Sequence, residues 1–254
     1  MKEATLFSLR ENLKALKLSA MAKGIEAHLR QAKESGIDYD EFLLELTEQE
    51  LQVRWENRQT RRIRDAKFPL LKPIETFELD EAPDLDRRLF RDLCGCGYIK
   101  EHRNVIFWGR SGAGKTHMAI GLGIEACKAN YRTRFISCYG LVNELTEARE
   151  DKDLSRLIQR YSRYDLLILD ELGYIPFTKE GSELLFQVLA ERDERGSVMI
   201  TTNLGFADWT QVFGDPVITA ALLDRLTHKA HIIDCPWDSY RLKQSIKKKK
   251  LPRN

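Results

Sequence analysis

Residues 109–116 form a glycine-rich turn between the apolar run NVIFW and the start of a predicted helix. They fit the pattern G-x-x-x-x-G-K-[ST], whose glycines let the backbone wrap around phosphate groups so that its N–H groups face the anion. The lysine then reaches the β- and γ-phosphates, and the hydroxyl coordinates Mg²⁺. A tight strand-to-helix turn is the alternative. We expect a nucleotide site at Gly109, Arg110, Ser111, Gly112, Ala113, Gly114, Lys115 and Thr116, with Thr116 as a metal ligand.

A triphosphate site also needs a carboxylate on the magnesium side, held at the end of a neighbouring strand. The segment LLILDE supplies Asp170 as this second metal ligand, 55 residues after Lys115. The next residue, Glu171, can orient a water that attacks the γ-phosphate and accept its proton, which favours hydrolysis over binding alone. The alternative is that Glu171 only caps the following turn.

Two other classes of phosphate-binding protein fit part of this pattern. The segment DELG matches the D-x-x-G of GTPases, but the N-K-x-D segment that reads guanine occurs nowhere in the chain, and we set that class aside. A small-molecule kinase needs a basic, mobile lid over its second substrate. Residues 172–196 instead predict a helix of mixed charge, and the kinase alternative stays open.

Two further polar residues follow downstream. Asn203 ends the segment ITTN, next to the strand of Asp170, and its amide can hold the attacking water; a turn-forming asparagine is the alternative. Arg225 lies in a predicted helix, too far along the chain to be assigned to its own phosphate site. An arginine so placed can stabilise the γ-phosphate of a neighbouring subunit in an oligomer, or form a salt bridge with Asp224 or a helix neighbour.

These residues need elements that hold them together. Apolar runs separated by helix-length segments, such as 115–129, 139–149 and 182–194, follow one another in the order NVIFWG, TRFISC, DLLILD, SVMITTN and HIIDC. Strands without polar alternation, separated by helices, indicate a parallel sheet buried on both faces. We therefore predict an α/β fold with a parallel five-stranded sheet between two layers of helices.

The N-terminal part of the chain has a different pattern. Apolar residues recur there at helical spacing, as in Leu18, Met21, Ile25 and Leu29, and a second helical stretch follows the turn signal ESGIDYD. Three prolines in FPLLKPIETFELDEAPDLD break helices. We expect a small all-helical domain at 1–67 that binds DNA or a partner, a linker at 68–86 and the α/β domain with a basic tail at 87–254.

Composition excludes several classes of protein. Among the 254 residues, 41 are basic and 39 acidic, so net charge alone indicates no partner. No apolar stretch approaches a membrane span and the N-terminus lacks the apolar centre of a signal peptide, so we expect a cytoplasmic protein without a membrane partner. The five cysteines include no C-x-x-C pair, and neither a zinc site nor a disulfide framework is indicated.

Basic charge is nevertheless concentrated in two segments. Arg54, Arg58 and Arg61 are spaced by four and three residues and share a helix face, with Arg62 beside them. Such a stripe can bind the phosphates of duplex DNA without sequence preference; a solvated helix face is the alternative. The segment SIKKKK near the C-terminus is either a second DNA contact or a disordered, solubilising end, and we favour the latter.

In this order the segments resemble the IstB-type ATP-binding helper proteins of insertion sequences, a branch of the AAA+ ATPases close to the bacterial helicase loader DnaC. The phosphate loop alone is unspecific, whereas the ordered set is highly specific and covers nearly all of the chain. It comprises LKALKLSAMAKGIEAHL, RQTRRIRDAKFP, NVIFWGRSGAGKTHMAIGLG, DLLILDELGYIPF, LLFQVLAERDERGSVMITTNLGFADWTQVFGD, LLDRLTHKAHIID and SYRLKQS.

The resemblance implies a role for each site residue. Asp170 and Glu171 form Walker B, Asn203 is the first sensor, Arg225 is the arginine finger and Arg241 in SYRLK is similar to the second sensor arginine. It further implies an ATPase with ATP and Mg²⁺ as cofactors. Such proteins form ATP-dependent homo-oligomers on DNA and engage a transposase during transposition.

The chain departs from this family in two places. Relatives usually carry a proline-rich loop of the GPPGTGK kind, and here Arg110 and Ser111 stand at the proline positions, while the phosphate-binding glycines remain. Because the sequence ends soon after Lys250, we also expect no helical lid of the kind found in larger AAA+ proteins. Two other functions stay open: a DnaC-like loader of a replicative helicase, and an ATP-gated adaptor that has lost hydrolysis.

Overall fold

The computed structural model of the protein describes residues 3–240, which form two compact units, one up to Arg61 and one from Arg62 onward. Arg241 and the lysine-rich segment lie outside the described residues. None of the helices within residues 3–240 is long and apolar enough to cross a membrane.

The first unit is helical, as predicted, but it contains one helix boundary that the sequence pattern did not indicate. Its helices are α1 (Glu3–Ala15), α2 (Ser19–Ser35) and α3 (Tyr39–Ala66), the last of which continues into the second unit. Between α1 and α2 the chain reverses at Lys17, whose φ is +59°. The small apolar core of the unit consists of Leu13, Met21, Ala22, Ile25 and Leu46.

The second unit alternates strands and helices. Its strands are β1 (Asn104–Gly109), β2 (Thr133–Ser137), β3 (Leu166–Leu172), β4 (Ser197–Thr202) and β5 (Ala230–Cys235). Its helices are α4 (Arg87–Cys94), α5 (Gly97–Lys100), α6 (Lys115–Lys128), α7 (Cys138–Glu150), α8 (Leu154–Ser162), α9 (Lys179–Arg192), α10 (Trp209–Phe213) and α11 (Pro216–Thr227). Short 3-10 turns lie at Ile74–Thr76, Leu79–Glu81 and Phe206–Asp208.

The five strands form one parallel sheet in the order β2-β3-β4-β1-β5. Successive side chains of a strand point to opposite faces. In β1, Phe107 packs into the apolar cluster that contains α6, whereas Ile106 packs into the cluster that contains α7 and α9. The sheet is therefore buried between two helical layers, which confirms the predicted α/β fold.

Because all strands are parallel, their carboxyl ends meet at one edge of the sheet. Strand β4 lies between β1 and β3 there, and Thr202 of β4 is in register with Trp108 of β1. This edge brings the glycine-rich loop after β1, the carboxylates of β3 and Asn203 after β4 close together.

Residues 68–86, which the prolines indicated as a linker, pack onto the second unit. Ala82 and Leu85 are buried in the same apolar cluster as α6, and Phe68, Ile74 and Phe77 pack against it. Extended backbone and 3-10 turns replace longer helices here, as the prolines require. The segment thus contributes to the core of the α/β unit.

Candidate functional site

The loop between β1 and α6 has a backbone path that only glycine tolerates. Gly109 ends β1 with a φ of +135°, and a Cβ at this position would collide with the backbone carbonyl of Cys235. Gly114 caps the N-terminus of α6 with a φ of +89°, and a Cβ there would lie 2.7 Å from the ring of Phe77. The loop therefore turns tightly and delivers the positive end of α6 to the edge of the sheet.

Lys115 lies within this loop rather than in solvent. Its side chain is almost fully buried, and Nζ donates hydrogen bonds to the carbonyl oxygens of Gly109 (2.8 Å) and Arg110 (2.7 Å). The ammonium group and the N-terminus of α6 thus place positive charge in the same small volume, which suits an anionic ligand.

Asp170, at the end of β3, is buried beside the first turn of α6. Its Oδ1 accepts hydrogen bonds from the hydroxyl of Thr116 (2.9 Å) and from the hydroxyl of Thr201 (2.5 Å). The structure therefore brings the two predicted metal ligands together. A hydroxyl and a carboxylate are hard oxygen donors of the kind that Mg²⁺ takes in phosphate sites, so the residues fit this ion.

Glu171 occupies an irregular position in β3. Its φ is +60°, and the pairing of β3 with β4 shifts register between Leu169 and Leu172. A left-handed conformation outside glycine costs about 1–3 kcal/mol and persists only where neighbours impose it. Here the backbone N–H of Glu171 donates to Thr201 Oγ1 (3.0 Å), and the Thr202 hydroxyl donates to the Leu172 carbonyl (2.7 Å). The carboxylate of Glu171 is thereby left exposed toward the site.

Sequence reasoning missed Thr201 and Thr202. Both are buried in β4, and together they fix the irregular end of β3 that carries Asp170 and Glu171. The signal was the pair of hydroxyl residues directly before Asn203 in the predicted neighbouring strand.

A cavity of about 450 Å³ joins these groups, a volume typical of small-molecule sites. The glycine-rich loop, Glu171 and Asn203 line this cavity. Asn203 is exposed and directly follows β4, next to β3 as predicted. The glycine-rich loop, a carboxylate and an amide group therefore share one cavity.

A further wall of the cavity comes from residues 72–81 and was not predicted as part of the site. Lys72, Thr76, Phe77 and Glu78 line the cavity there, together with His117 of α6. The rings of Phe77 and His117 lie edge to face with centroids 5.3 Å apart. This wall offers aromatic surface next to polar groups, as a nucleoside requires.

The segment after β5 forms hydrogen bonds to the glycine-rich loop. The indole N–H of Trp237 donates to the carbonyl of Ala113 (2.8 Å), and the backbone N–H of Tyr240 donates to the carbonyl of Gly112 (3.1 Å). Arg110 forms an exposed ion pair with Asp238 (3.2 Å). Arg110 thus contacts the same segment as its loop neighbours.

Arg225 lies away from this cavity. Its Nε is 3.8 Å from Oδ2 of Asp193, and its guanidinium lies 4.7 Å from the ring centroid of Phe186. The ionic partner is therefore Asp193 at the end of α9, not Asp224. Arg225 is not among the described residues that line the cavity, and its role as an arginine finger stays a prediction.

The four predicted DNA-binding arginines differ in their contacts and in their exposure. Glu50, which is 5% exposed, accepts hydrogen bonds from the N–H groups of Ala20 and Met21 and from Nε of Arg54. Burial acts to raise the pKa of Glu50, but the hydrogen bonds from Met21 and Arg54 outweigh burial and hold the pKa below its usual value. Arg54 also donates to the Lys17 carbonyl. Arg54 therefore ties α3 to the start of α2.

The other three arginines of this stripe have different surroundings. Arg58 and Arg61 are exposed on α3 in the first unit. Arg62, the first residue of the second unit, is half-buried and its Nε lies 3.4 Å from Oδ1 of Asn130. DNA binding by the four residues stays a prediction.

Comparison with solved structures identifies the fold. The DnaC helicase loader matches with a TM-score of 0.51 and 17% identity, over 58% of this chain and 86% of that chain. AMPPCP-bound DnaA from Aquifex aeolicus matches with a TM-score of 0.54 and 17% identity, over 72% of this chain and 57% of that chain. At this identity the likeness concerns the fold alone, a parallel sheet between layers of helices.

Comparison of sequences identifies the family. A protein of Pseudomonas aeruginosa, named as ATP-binding in insertion sequence IS21, is 37% identical over 242 residues, which cover 95% of this chain and 91% of the relative. A similarly named protein of insertion sequence IS5376 from Geobacillus stearothermophilus is 35% identical over 93% of this chain and 94% of the relative. Residues 11–248 match the family described as IstB-like ATP binding protein. The resemblance seen in the sequence is thereby confirmed, and the chain belongs to the IstB-like ATP-binding protein family.

Proposed function

We propose that this chain binds ATP with Mg²⁺ in the cavity at the carboxyl edge of the sheet and hydrolyses it. The observation that supports this most directly is the contact between Thr116 of the phosphate loop and Asp170, with Glu171 as the next residue. A site that only bound nucleotide would not need an exposed carboxylate held there in a strained backbone conformation.

The chain supplies one set of groups that binds the phosphates and another that holds the metal ion. The loop N–H groups, the start of α6 and Lys115 bind the phosphates, and Thr116 and Asp170 hold the metal ion. Mg²⁺ held there would supply positive charge that neutralises the phosphate oxygens. The wall at residues 72–81 takes the nucleoside, with the ring of Phe77 as its apolar surface.

Hydrolysis in this proposal depends on Glu171 and Asn203. Glu171 accepts a proton from the attacking water, and the Asn203 amide orients the same water from the adjacent strand. Arg225 acts on the γ-phosphate of a neighbouring subunit, which makes ATP hydrolysis depend on a homo-oligomer. Its position outside the cavity of its own chain supports that role. Arg241, as second sensor, stays a prediction outside the described residues.

The Thr201→Val variant tests how the carboxylates are held. Valine keeps the shape and removes the hydroxyl that bonds both Asp170 and the N–H of Glu171. We expect kcat for ATP hydrolysis to fall by about tenfold or more and the Mg²⁺ concentration for half-maximal rate to rise, with ATP affinity nearly unchanged.

Two matched variants control this measurement. Thr201→Ser retains the hydroxyl and should keep most of the activity. Thr146→Val removes a hydroxyl that bonds only the Val142 carbonyl within α7, and should leave kcat unchanged. If Thr201→Val has the kcat and the Mg²⁺ dependence of the unmodified protein, the hydroxyl does not position the carboxylates.

We further propose that the protein assembles on duplex DNA in its ATP-bound state and engages a transposase in transposition. The relatives named for insertion sequences IS21 and IS5376 support this, because such elements move by cutting and joining DNA. The alternative is a DnaC-like helicase loader, which shares only the fold at 17% identity. A pull-down with the transposase and with a replicative helicase, each in the presence of ATP, separates the two functions.

The arginines at residues 54–62 provide the test of DNA binding. Changing all four to Ala also removes the Arg54 contact with Glu50, so the informative variant changes Arg58, Arg61 and Arg62 and keeps Arg54. We expect binding to weaken to a similar degree for DNA duplexes of unrelated sequence. The slope of the logarithm of the binding constant against the logarithm of the salt concentration should fall in magnitude by about one per lost phosphate contact. ATP binding should remain.

The control removes the same number of positive charges elsewhere in the first unit, at the exposed residues Lys14, Lys23 and Lys33. Affinity is measured by fluorescence anisotropy with ATP present, since assembly multiplies weak contacts. A triple arginine variant that keeps both its affinity and its salt slope would show that the arginines are a solvated helix face.

A further inference from the structure

The guanidinium of Arg225 lies against helix α9. Its Cζ is 4.7 Å from the ring centroid of Phe186, within the roughly 6 Å over which an aromatic face attracts a cation. Its Nε is 3.8 Å from Oδ2 of Asp193. Phe186 belongs to α9, and Asp193 directly follows the last residue of that helix. One helix thus supplies both an aromatic and an ionic contact to the charged end of Arg225.

The two contacts leave the guanidinium in different states. The distance of 3.8 Å to Asp193 is longer than a hydrogen bond, and the two side chains are 35% and 45% exposed, so this ion pair is weak. A phosphate group carries more charge and can displace it. The ring of Phe186 instead covers one face of the guanidinium and leaves the N–H groups at its edge able to donate.

Phe186 is itself held in place by the core. It is half-buried and packs against the apolar cluster that contains α7 and α9. An arginine side chain loses much rotamer freedom when it is fixed, whereas an aromatic ring packed on a core is already fixed. Phe186 is therefore a rigid support for a flexible cation.

We propose that Phe186 is a positioning residue, which holds the guanidinium of Arg225 where it meets the γ-phosphate bound by a neighbouring subunit. This inference rests on the proposed function, in which Arg225 acts on the site of a neighbour. Asp193 is the counter-ion of Arg225 in the separate chain and gives way to the phosphate on assembly. Because the ring restricts the arginine beforehand, less conformational entropy is lost when the phosphate arrives.

The informative change is Phe186→Leu, which keeps an apolar side chain against the core and removes the aromatic face. We expect kcat for ATP hydrolysis, measured by phosphate release with DNA present, to fall by about ten- to a hundredfold, as for a misplaced catalytic group. KM for ATP should not change, because Phe186 is not among the described residues that line the cavity. Phe186→Tyr retains the ring and should keep most of the turnover.

A control variant removes a different ring from the same cluster. Tyr164 is also half-buried against these apolar residues, and it lies two residues before β3, at the other end of that strand from Asp170. Tyr164→Leu should therefore keep kcat. Circular dichroism checks that each variant remains folded.

Mixed assemblies show whether the defect acts between subunits. Chains with Phe186→Leu keep their own Glu171 but present a poorly held Arg225, whereas Glu171→Gln chains lack the base and present a well-held Arg225. When equal amounts are combined, about a quarter of the cavity-to-arginine contacts join an intact cavity to a well-held arginine. Turnover of the mixture should therefore exceed the mean of the two variants measured separately.

The same mixture made with Arg225→Ala in place of Phe186→Leu separates this inference from the proposed function. If Arg225→Ala hydrolyses ATP normally, or its mixture with Glu171→Gln gains no turnover, the arginine finger is refuted and the role of Phe186 falls with it. If Arg225→Ala behaves as expected but Phe186→Leu turns over at the unmodified rate, or its own mixture gains nothing, the ring does not position the arginine. A Phe186→Tyr variant as slow as Phe186→Leu overturns the inference as well.

Discussion

In the Glu171→Gln variant we expect ATP to stay bound while its hydrolysis falls by about 10²–10⁴-fold, the usual contribution of a general base. Glutamine has the same shape and cannot accept the proton of the attacking water. Binding should persist because Lys115, Thr116 and Asp170 are unchanged. The trapped ATP-bound protein should then accumulate in its assembled form on DNA. Steady-state phosphate release and nucleotide affinity, measured on the same preparation, separate the two effects.

A matched control removes a carboxylate elsewhere on the same unit. Glu183 is exposed on α9 and does not line the cavity, so Glu183→Gln should leave both quantities unchanged. Turnover at the normal rate in Glu171→Gln would mean that another residue activates the water. Loss of ATP affinity in that variant would place Glu171 in nucleotide binding rather than in proton transfer.

The Lys115→Ala variant should lose ATP binding. The ammonium group forms charge-assisted hydrogen bonds to phosphate oxygens, each worth about 1.5–3 kcal/mol, or roughly ten- to a hundredfold in affinity. The loss of binding free energy should exceed the contribution of one such bond. Lys115 also donates hydrogen bonds to the carbonyls of Gly109 and Arg110, and so stabilises the loop itself. Isothermal titration calorimetry with a non-hydrolysable ATP analogue measures the affinity.

Lys128→Ala provides the control, because this lysine lies in the last turn of the same helix and forms ion pairs with Glu125 and Glu75. It should bind the analogue normally. Unchanged affinity in Lys115→Ala would refute the assignment of the phosphate loop.

The strands of the α/β unit were predictable because burial on both faces leaves no polar positions in them. The run NVIFWG coincides with β1, and the other four runs differ from their strands by one or two residues, at one end or, for β3, at both ends. Helix α8 was not predicted. It has nine residues, mostly polar, and buries only Leu157 and Tyr161. So few apolar positions do not define a helical period.

The break between α1 and α2 shows why the helical unit was harder to predict. The segment Leu16–Lys17–Leu18 contains neither glycine nor proline, and Lys17 adopts a left-handed conformation without a local sequence signal. The start of α2 is instead stabilised by the carboxylate of Glu50, about thirty residues downstream. A helix boundary that depends on tertiary contacts is not visible in local spacing.

The candidate site, too, could be predicted from the sequence only in part. The glycine-rich loop, Asp170 and Glu171 could be found from sequence, because their chemistry requires a fixed local pattern. Phe77 could not be found from sequence, because the prolines of its segment predict only a connection between domains. Its position next to Gly114 is visible only in the structure. Thr201 gains its importance only from a neighbouring strand, and Trp237 from a contact with the loop, 124 residues away in sequence.

The bond from Trp237 also has an electrical consequence for the loop. In a planar trans peptide the carbonyl and the following N–H point in opposite directions. Holding the Ala113 carbonyl toward the indole therefore turns the N–H of Gly114 the other way, and the Tyr240 backbone does the same for the peptide after Gly112. Each peptide unit carries a dipole of about 3.5 D. An uncharged side chain that follows β5 thus orients peptide dipoles in the glycine-rich loop, where the proposed function places the phosphates.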